Sequence, residues 1–387
     1  MTNSYVKLGD LATYINGYAF KPKDRGDKGL PIIRIQDLTG NTYDKGFYDG
    51  KYPSKIEINN GDVLISWSAS LGVYLWNGGK ALLNQHIFKV IFDKKEIDKD
   101  YFIYAVRFSL KRLHQLTHGA TMKHIVKKDF DNVVIPYPSI KKQKEIAFNL
   151  DKIESIIKTR QQEIRMLDTL IKARFVEMFG DPIINNKKLT EVPMTKICQI
   201  IDGDRGKNYP RAKDFKTNGY CLFLNTKNVT TTGFDFHKCM FISKERDELL
   251  HNGRLSLGDI VLTTRGTIGN LALYTEKVPY NHLRINSGMV ILRMNHEKII
   301  DKFFIEQFKM QLKKIKMKIA SGSAQPQLPV STMSKIPIVL PSIRKQEKYS
   351  DFVKQVDKSK VVNASIMKYI ISIRFYLYFK ENKEGAR

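Results

Sequence analysis

With 387 residues the chain is too long for one ordinary compact domain and fits two of moderate size with something between them. Hydrophobic residues at 42% and aromatics at 11% exclude a mostly disordered chain. A count of 65 Lys and Arg against 39 Asp and Glu gives a formal charge of +26, which calls for a polyanionic partner: nucleic acid first, because neutralised phosphates release condensed counterions, then an anionic membrane surface or the ribosome.

In chain order, Leu30 to Leu38 is the first strand-like apolar segment, with Arg34 and Gln36 toward its end. A Gly61-Asp62 turn leads into a strand at Val63 to Ser66 and then a polar loop, Ser66, Trp67 and Ser68, ahead of Gly72. Asp98 to Leu116 carries apolar residues at helical spacing with Lys and Arg on the remaining face. The loop after Gly119 holds Lys123 and His124 and ends at Pro138. From Ile146 the apolar positions Leu150, Ile153, Ile157, Ile164, Leu167, Ile171 and Met178 alternate by four and three, with Arg160 and Arg174 filling the two missing steps, which makes a heptad seam. Ser139 as N-cap and Gly180 with Pro182 as a stop predict a helix of about 38 residues, roughly 57 Å long at 1.5 Å per residue.

The second half repeats this order. PSIKKQ from Pro138 returns as PSIRKQ from Pro341, Gly119 as Gly322, and Ile97 to Lys99 as Ile300 to Lys302, all 203 residues on. Gly61-Asp62-Val63 with Gly72 returns as Gly258-Asp259-Ile260 with Gly269, 197 residues on, so an insertion separates the blocks. Cys221 to Val229 is the matching strand, with Asn225 and Lys227 near its end; Ile260 to Thr263 leads into a loop of Thr263, Thr264 and Arg265 before Gly266. Asp301 to Ile319 is the matching basic helix, and the following loop carries Gln325 and Gln327 around Pro326, which stiffens it. A second seam runs through Tyr349, Val353, Val356, Met367, Ile370 and Leu377, with Lys360 and Asn363 in it. Two seams of similar length predict antiparallel pairing; separate packing of each on its own domain is the alternative.

Side chains that suit base edges sit in these loops. Arg matches guanine bidentately, Gln and Asn match adenine, and a glycine-flanked loop lets the backbone approach closely. The DNA-contact candidates are therefore Arg34, Gln36, Ser66, Trp67, Ser68, Lys123, His124, Asn225, Lys227, Thr263, Thr264, Arg265, Gln325 and Gln327, against a plain reading of solvent-facing turns. Lys111, Lys313, Lys314 and Lys316 suit phosphate neutralisation or simple solvation. Catalytic signatures are missing: there is no phosphate-loop motif, no glycine-rich dinucleotide fingerprint, no amino-methyltransferase motif and no nuclease carboxylate set. Cys198, Cys221 and Cys239 are odd in number and lack a C-x-x-C pair, and His237 near Cys239 does not complete a zinc site. Without a signal peptide or an apolar run of about 18 residues, a cytoplasmic protein is expected.

The order domain, long helix, domain, long helix resembles the specificity subunits of type I restriction-modification systems. The resemblance covers nearly the whole chain and is carried by PSIKKQKEI and PSIRKQEKY, by GDVLISWSASLG and GDIVLTTRGTIG, by ARFVEMFGDP ending at Pro182, and by GSAQPQL from Gly322. It implies a mixed α/β fold with a pseudo-twofold internal repeat: target-recognition domains at 1–138 and 181–341, separated by long antiparallel, coiled-coil-like helices at 139–180 and 342–387. It further implies a non-catalytic chain that reads a bipartite target in double-stranded DNA, with the first long helix as the ruler between the halves. Two methyltransferase subunits and the restriction subunits would be its partners. S-adenosylmethionine, ATP and Mg would reside in those partners, with no cofactor on this chain. The chain departs from the pattern where Lys142 and Lys345 replace a frequent glutamate, and where GATMKHI stands in the first half opposite GSAQPQL. A stand-alone two-domain DNA-binding protein and a DNA-modifying enzyme of unrecognised type are the other readings.

Overall fold

A computed structural model describes residues 4–116, 127–320 and 327–383. It divides into two compact units, Met1–Gln161 with Ser365–Arg387, and Gln162–Ala364.

In the first unit β1 (Ser4–Lys7) pairs antiparallel with β10 (Val134–Tyr137). An antiparallel sheet runs in the order β2 (Thr13–Asn16), β9 (Ile87–Ile91), β6 (Val63–Ser66), β7 (Gly72–Leu75). A second sheet runs β4 (Phe47–Tyr48), β3 (Leu30–Ile33), β8 (Ala81–Leu83), β5 (Glu57–Ile58), with β3 and β8 parallel. The helices are α1 (Ile35–Leu38), α2 (Lys99–Leu116) and α3 (Lys127–Asp131). β6 is apolar without interruption up to Ser66 because both of its faces are covered. Val63 and Ile65 enter one core with Tyr101, Phe102 and Val106 of α2, while Leu64 enters another with Leu82 and Ile87.

The second unit repeats the plan. β11 (Glu191–Pro193) pairs with β21 (Pro337–Val339), and a sheet runs β12 (Cys198–Asp202), β20 (Met289–Met294), β17 (Ile260–Thr263), β18 (Leu271–Leu273). β13 (Cys221–Leu224) lies between β16 (Phe241–Ile242) and the parallel β19 (Leu283–Ile285), and β14 (Val229–Thr230) pairs with β15 (Gly233–Phe234). Alternate β17 residues again serve two cores, Ile260 and Leu262 one, Val261 the other. Gly61 and Gly258, with φ of 88° and 87°, turn the chain ahead of β6 and β17, where an L side chain would be strained.

Two long helices complete the fold, α4 (Ile140–Phe179) and α8 (Ile343–Lys383), with shorter α5 (Lys244–Glu248), α6 (Asp301–Ala320) and α7 (Val330–Met333) in the second unit. α4 ends at Gly180, whose φ of 80° lets its N–H close on the Val176 carbonyl at 2.8 Å. The heptad positions are sheltered, with Ile146, Leu150, Ile157 and Ile171 buried and Arg160 and Arg174 half-buried, and Phe175 and Phe179, off the seam, are buried as well. In the second unit the Tyr349 hydroxyl donates to the Ile171 carbonyl at 3.3 Å and Lys360 pairs with Asp168 at 2.8 Å, so α8 ascends as α4 descends. The two helices pair antiparallel. Phe175 packs between Phe303 of α6 and Tyr349 of α8 at 5.4 Å from each ring. In the first unit Arg374 of α8 pairs with Glu154 of α4.

The repeated PSIKKQ and PSIRKQ have a structural use. Gln143, buried, accepts the Asp98 N–H at 2.9 Å and donates to the Pro138 carbonyl at 2.8 Å. Gln346, buried, accepts the Ile300 N–H at 3.0 Å and donates to the Lys298 and Pro341 carbonyls at 3.0 and 2.9 Å. Each glutamine clips a long helix to the start of a basic helix, which is why Ile97 to Lys99 and Ile300 to Lys302 recur at the same offset.

The strand readings at Leu30 to Leu38 and Cys221 to Val229 require correction. Both strands stop early, at Ile33 and Leu224, and a helical turn follows. The Arg34 N–H is captured by Asp37 Oδ2 at 2.8 Å and the Asn225 N–H by Asn228 Oδ1 at 3.0 Å, and a bond three residues forward closes a turn instead of a ladder.

Candidate nucleic-acid interface

In the second unit several of the sequence candidates converge. β17 delivers Thr263 and Thr264 into a tight loop, and both hydroxyls turn inward. Thr263, fully buried, donates to the Thr267 carbonyl and accepts the Asn270 N–H at 3.0 Å; Thr264 donates to the Gly288 carbonyl at 3.0 Å. These residues build the loop. The outward side chains are Arg265 and Thr267, on either side of Gly266 with φ of 64°. Arg265 forms a backbone bridge with Gln327, and the Leu328 N–H donates to the Thr264 carbonyl at 2.9 Å, so the two exposed side chains Arg265 and Gln327 are neighbours.

The turn after β13 lies against the same loop. Thr267 donates to the Thr226 carbonyl at 3.5 Å, and Asn270 donates to the Val229 carbonyl at 2.9 Å. Asn225 spends its side-chain oxygen on the Lys227 N–H at 2.9 Å, which leaves Lys227 as the exposed group of that turn. Arg265, Gln327 and Lys227 thus gather on three adjoining loops: a guanidinium fork, an amide and an ammonium, the donor and acceptor types that suit guanine, adenine and phosphate. Sequence reading passed over Thr226 and Gly288, because their nearness to Arg265 depends on pairing across strands far apart in the chain, and over Thr267, whose partner is the distant Thr226.

The first unit has the same frame with other side chains. Ser66 and Ser68 are buried, and Ser66 bonds back to the Ser70 and Gly72 carbonyls as Thr263 bonds back to Thr267 and Asn270. Trp67 is half-buried, stacked on Phe88 at 5.7 Å, with its indole N–H donating to Asn16 at 3.2 Å and its backbone N–H to the His86 carbonyl at 3.1 Å. Its indole reinforces the loop from behind. Ala69, with φ of 56°, holds the place of Gly266. Arg34 is half-buried; its guanidinium donates to the Asp44 carbonyl and lies 3.6 Å from Asp37, while Gln36 sits half-buried in the turn. Lys123, His124 and Gln325 lie outside the described residues.

Among the described residues no three His, Cys, Asp or Glu side chains come together as a metal site, and no helix is long and apolar enough to cross a membrane. The second unit does hold one buried ion pair, Arg284 Nε to Asp247 Oδ1 at 2.7 Å, but Arg284 spends its other nitrogens on the Asp247 and Asn252 carbonyls. It fastens β19 to α5 and to Asn252 just beyond that helix.

A duplicated α/β frame that keeps one inward hydroxyl, Ser66 in one copy and Thr263 in the other, and varies the side chains that follow it defines a two-domain recognition protein. The family model for the type I restriction modification DNA specificity domain matches residues 2–166 and again 186–368, and the chain belongs to that family. It is a specificity subunit whose role is recognition of a DNA target. The type I restriction enzyme MjaVIII specificity subunit of Methanocaldococcus jannaschii is 26% identical, with 91% of this chain and 85% of that protein covered. The EcoBI specificity subunit of Escherichia coli is 23% identical, with 78% and 67% covered. The type I S subunit from M. genitalium shares the fold with a TM-score of 0.52 at 17% identity over 98% of this chain and 99% of that one. A chain solved in a study of type I assembly and conformational transition shares it with a TM-score of 0.59 at 14% identity over 98% and 97%.

Proposed function

We propose that the two units read the two halves of a split duplex DNA target, one half each, and that the chain brings methyltransferase and restriction subunits to that target in the cytoplasm. The observation that carries this reading is the repetition of one loop frame with different side chains on it, Arg265 and Lys227 exposed on one copy where the other holds the buried Ser68 and the half-buried Gln36. Two different surfaces on one repeated frame suit two different half-sites. S-adenosylmethionine, ATP and Mg would be held by the partners, this chain contributing specificity alone.

The long helices offer docking faces for two methyltransferase subunits. In the second unit Met166 and Leu170 of α4 are exposed beside Ser359 and Asn363 of α8, around a largely apolar groove of about 650 Å³. In the first unit Phe148 and Ile156 are exposed on α4. Apolar side chains at such positions favour a covering partner.

Methylome mapping of a cell that expresses the chain with its partner methyltransferase tests the reading. The expected result is one bipartite motif, with a modified adenine in each half and an unspecified gap of constant length. A contiguous motif, or no motif dependent on this chain, would overturn it.

A further inference from the structure

We propose that Tyr43 contacts the bases of the half-site read by the first unit and is a specificity determinant there. This inference rests on the DNA-reading function proposed above. Its ring is 92% exposed, the most exposed large apolar or aromatic side chain among the described residues. A lone surface aromatic is ordinary. What distinguishes Tyr43 is the loop that carries it.

That loop, residues 39–46, is pinned at both ends and beneath its tip. The Asn41 N–H donates to the Gln36 carbonyl at 2.9 Å, and the Thr42 hydroxyl donates to Asp37 Oδ1 at 2.9 Å. Beyond the tyrosine, the Asp44 carboxylate accepts from Arg25 at 2.6 Å and its carbonyl accepts from Arg34. Phe47 and Gly26 then exchange two backbone bonds at 2.9 Å. Thr42 and Asp44, the residues on either side of Tyr43, are tied down, yet its phenol faces water. An ordered loop presenting a stiff, two-torsion side chain binds without a large ordering cost.

The second unit repeats the device. Asn228 occupies the place of Asp37: it caps the Asn225 N–H as Asp37 caps Arg34, and its amide donates to the Asp235 and Lys238 carbonyls at 2.9 Å each. One polar side chain therefore anchors, in each unit, a loop of different sequence that follows the turn at the same strand end. Constant anchor and divergent tip are what a base-reading loop requires. The occupant is duplex DNA, since the chain carries a formal charge of +26 and arginines brace this loop from below. A phenol ring can pack on a thymine methyl while its hydroxyl bonds a base edge.

The test is selection of duplexes from a random library by the full chain co-purified with its methyltransferase, wild type against Tyr43→Ala. The exposed ring makes no fold contact whose loss should lower the thermal midpoint, and an unchanged midpoint checks that. The expected result is relaxed preference at one or two adjacent positions of a single half-site, by roughly 5- to 150-fold each, with the other half unchanged. Unchanged preference at every position would overturn the proposal. So would a uniform loss of affinity with a shallower salt dependence, the mark of a phosphate contact. A wild-type complex that selects no split site would overturn the DNA-reading function along with it.

Discussion

At the scale of single residues, the side chains divide into those that build the reading loops and those that face outward from them. Thr263, Thr264, Ser66 and Ser68 build; Arg265, Lys227 and Gln327 face out. Arg265→Ala is therefore expected to relax one position of one half-site by roughly 1–3 kcal/mol and to leave the other half-site intact, as read by methylome mapping. Equal relaxation of both halves would make Arg265 a general phosphate contact. Gln346→Ala acts differently. It leaves the Ile300 N–H and two carbonyls without their buried partner, at a cost of about 1–3 kcal/mol. Denaturant unfolding should show that loss while the selected sequence stays the same.

At the scale of elements, a small ion network ties α6, α8 and α4 together within the second unit. Asp357 accepts from Lys302 at 2.5 Å and from Lys360 at 2.9 Å, and Lys360 also reaches Asp168 at 2.8 Å. Burial opposes ionisation of Asp357, but the two ammonium partners outweigh it and hold its carboxyl below the ordinary value of 3.8. A depressed folded-state value means that the stabilisation is present above pH 3.8 and fades as pH falls through the lower, folded value. Asp357→Asn should lower the thermal midpoint near pH 7, by no more than about 1 kcal/mol of stability since the pair is partly solvated. Wild type and variant should converge only once the pH has fallen below the depressed folded value, where the aspartate is protonated in the native state as well. A constant gap across the range would assign the effect to packing.

At the scale of the whole molecule, α4 and α8 are the two segments that pass from one unit to the other, between Gln161 and Gln162 and between Ala364 and Ser365. Their antiparallel seam requires that both be lengthened together. Seven residues, one heptad, added to α4 near Gln161 and to α8 near Ser365 extend each helix by about 10 Å and preserve the buried face. At about 3.4 Å per base pair, the expected motif keeps both half-sites and gains a gap longer by about three base pairs. Retention of the original gap, or a change in the half-site bases, would show that α4 is not the ruler.

Sequence periodicity alone was enough for the large outline. Heptad spacing from Ile146 to Met178 marks α4 because side chains 3.5 residues apart share a face whatever surrounds them, and the ordered returns of Gly-Asp and PSIKKQ mark the duplication because each is a local turn or cap. The ends of the strands were another matter: the apolar runs from Leu30 and Cys221 continue past residues where Asp37 and Asn228 bend the chain, and one hydrogen bond outranks propensity there. The same holds for the interface. Thr264 and Arg265 are adjacent in sequence and chemically alike as candidates, yet one points at the Gly288 carbonyl and the other at solvent. Alternation across a strand cannot predict which, because the strand has ended and the loop's direction is set by β20 and by Gln327, 62 residues downstream. Only the tertiary pairing of distant segments decides which polar side chains are used up inside the protein and which remain for DNA.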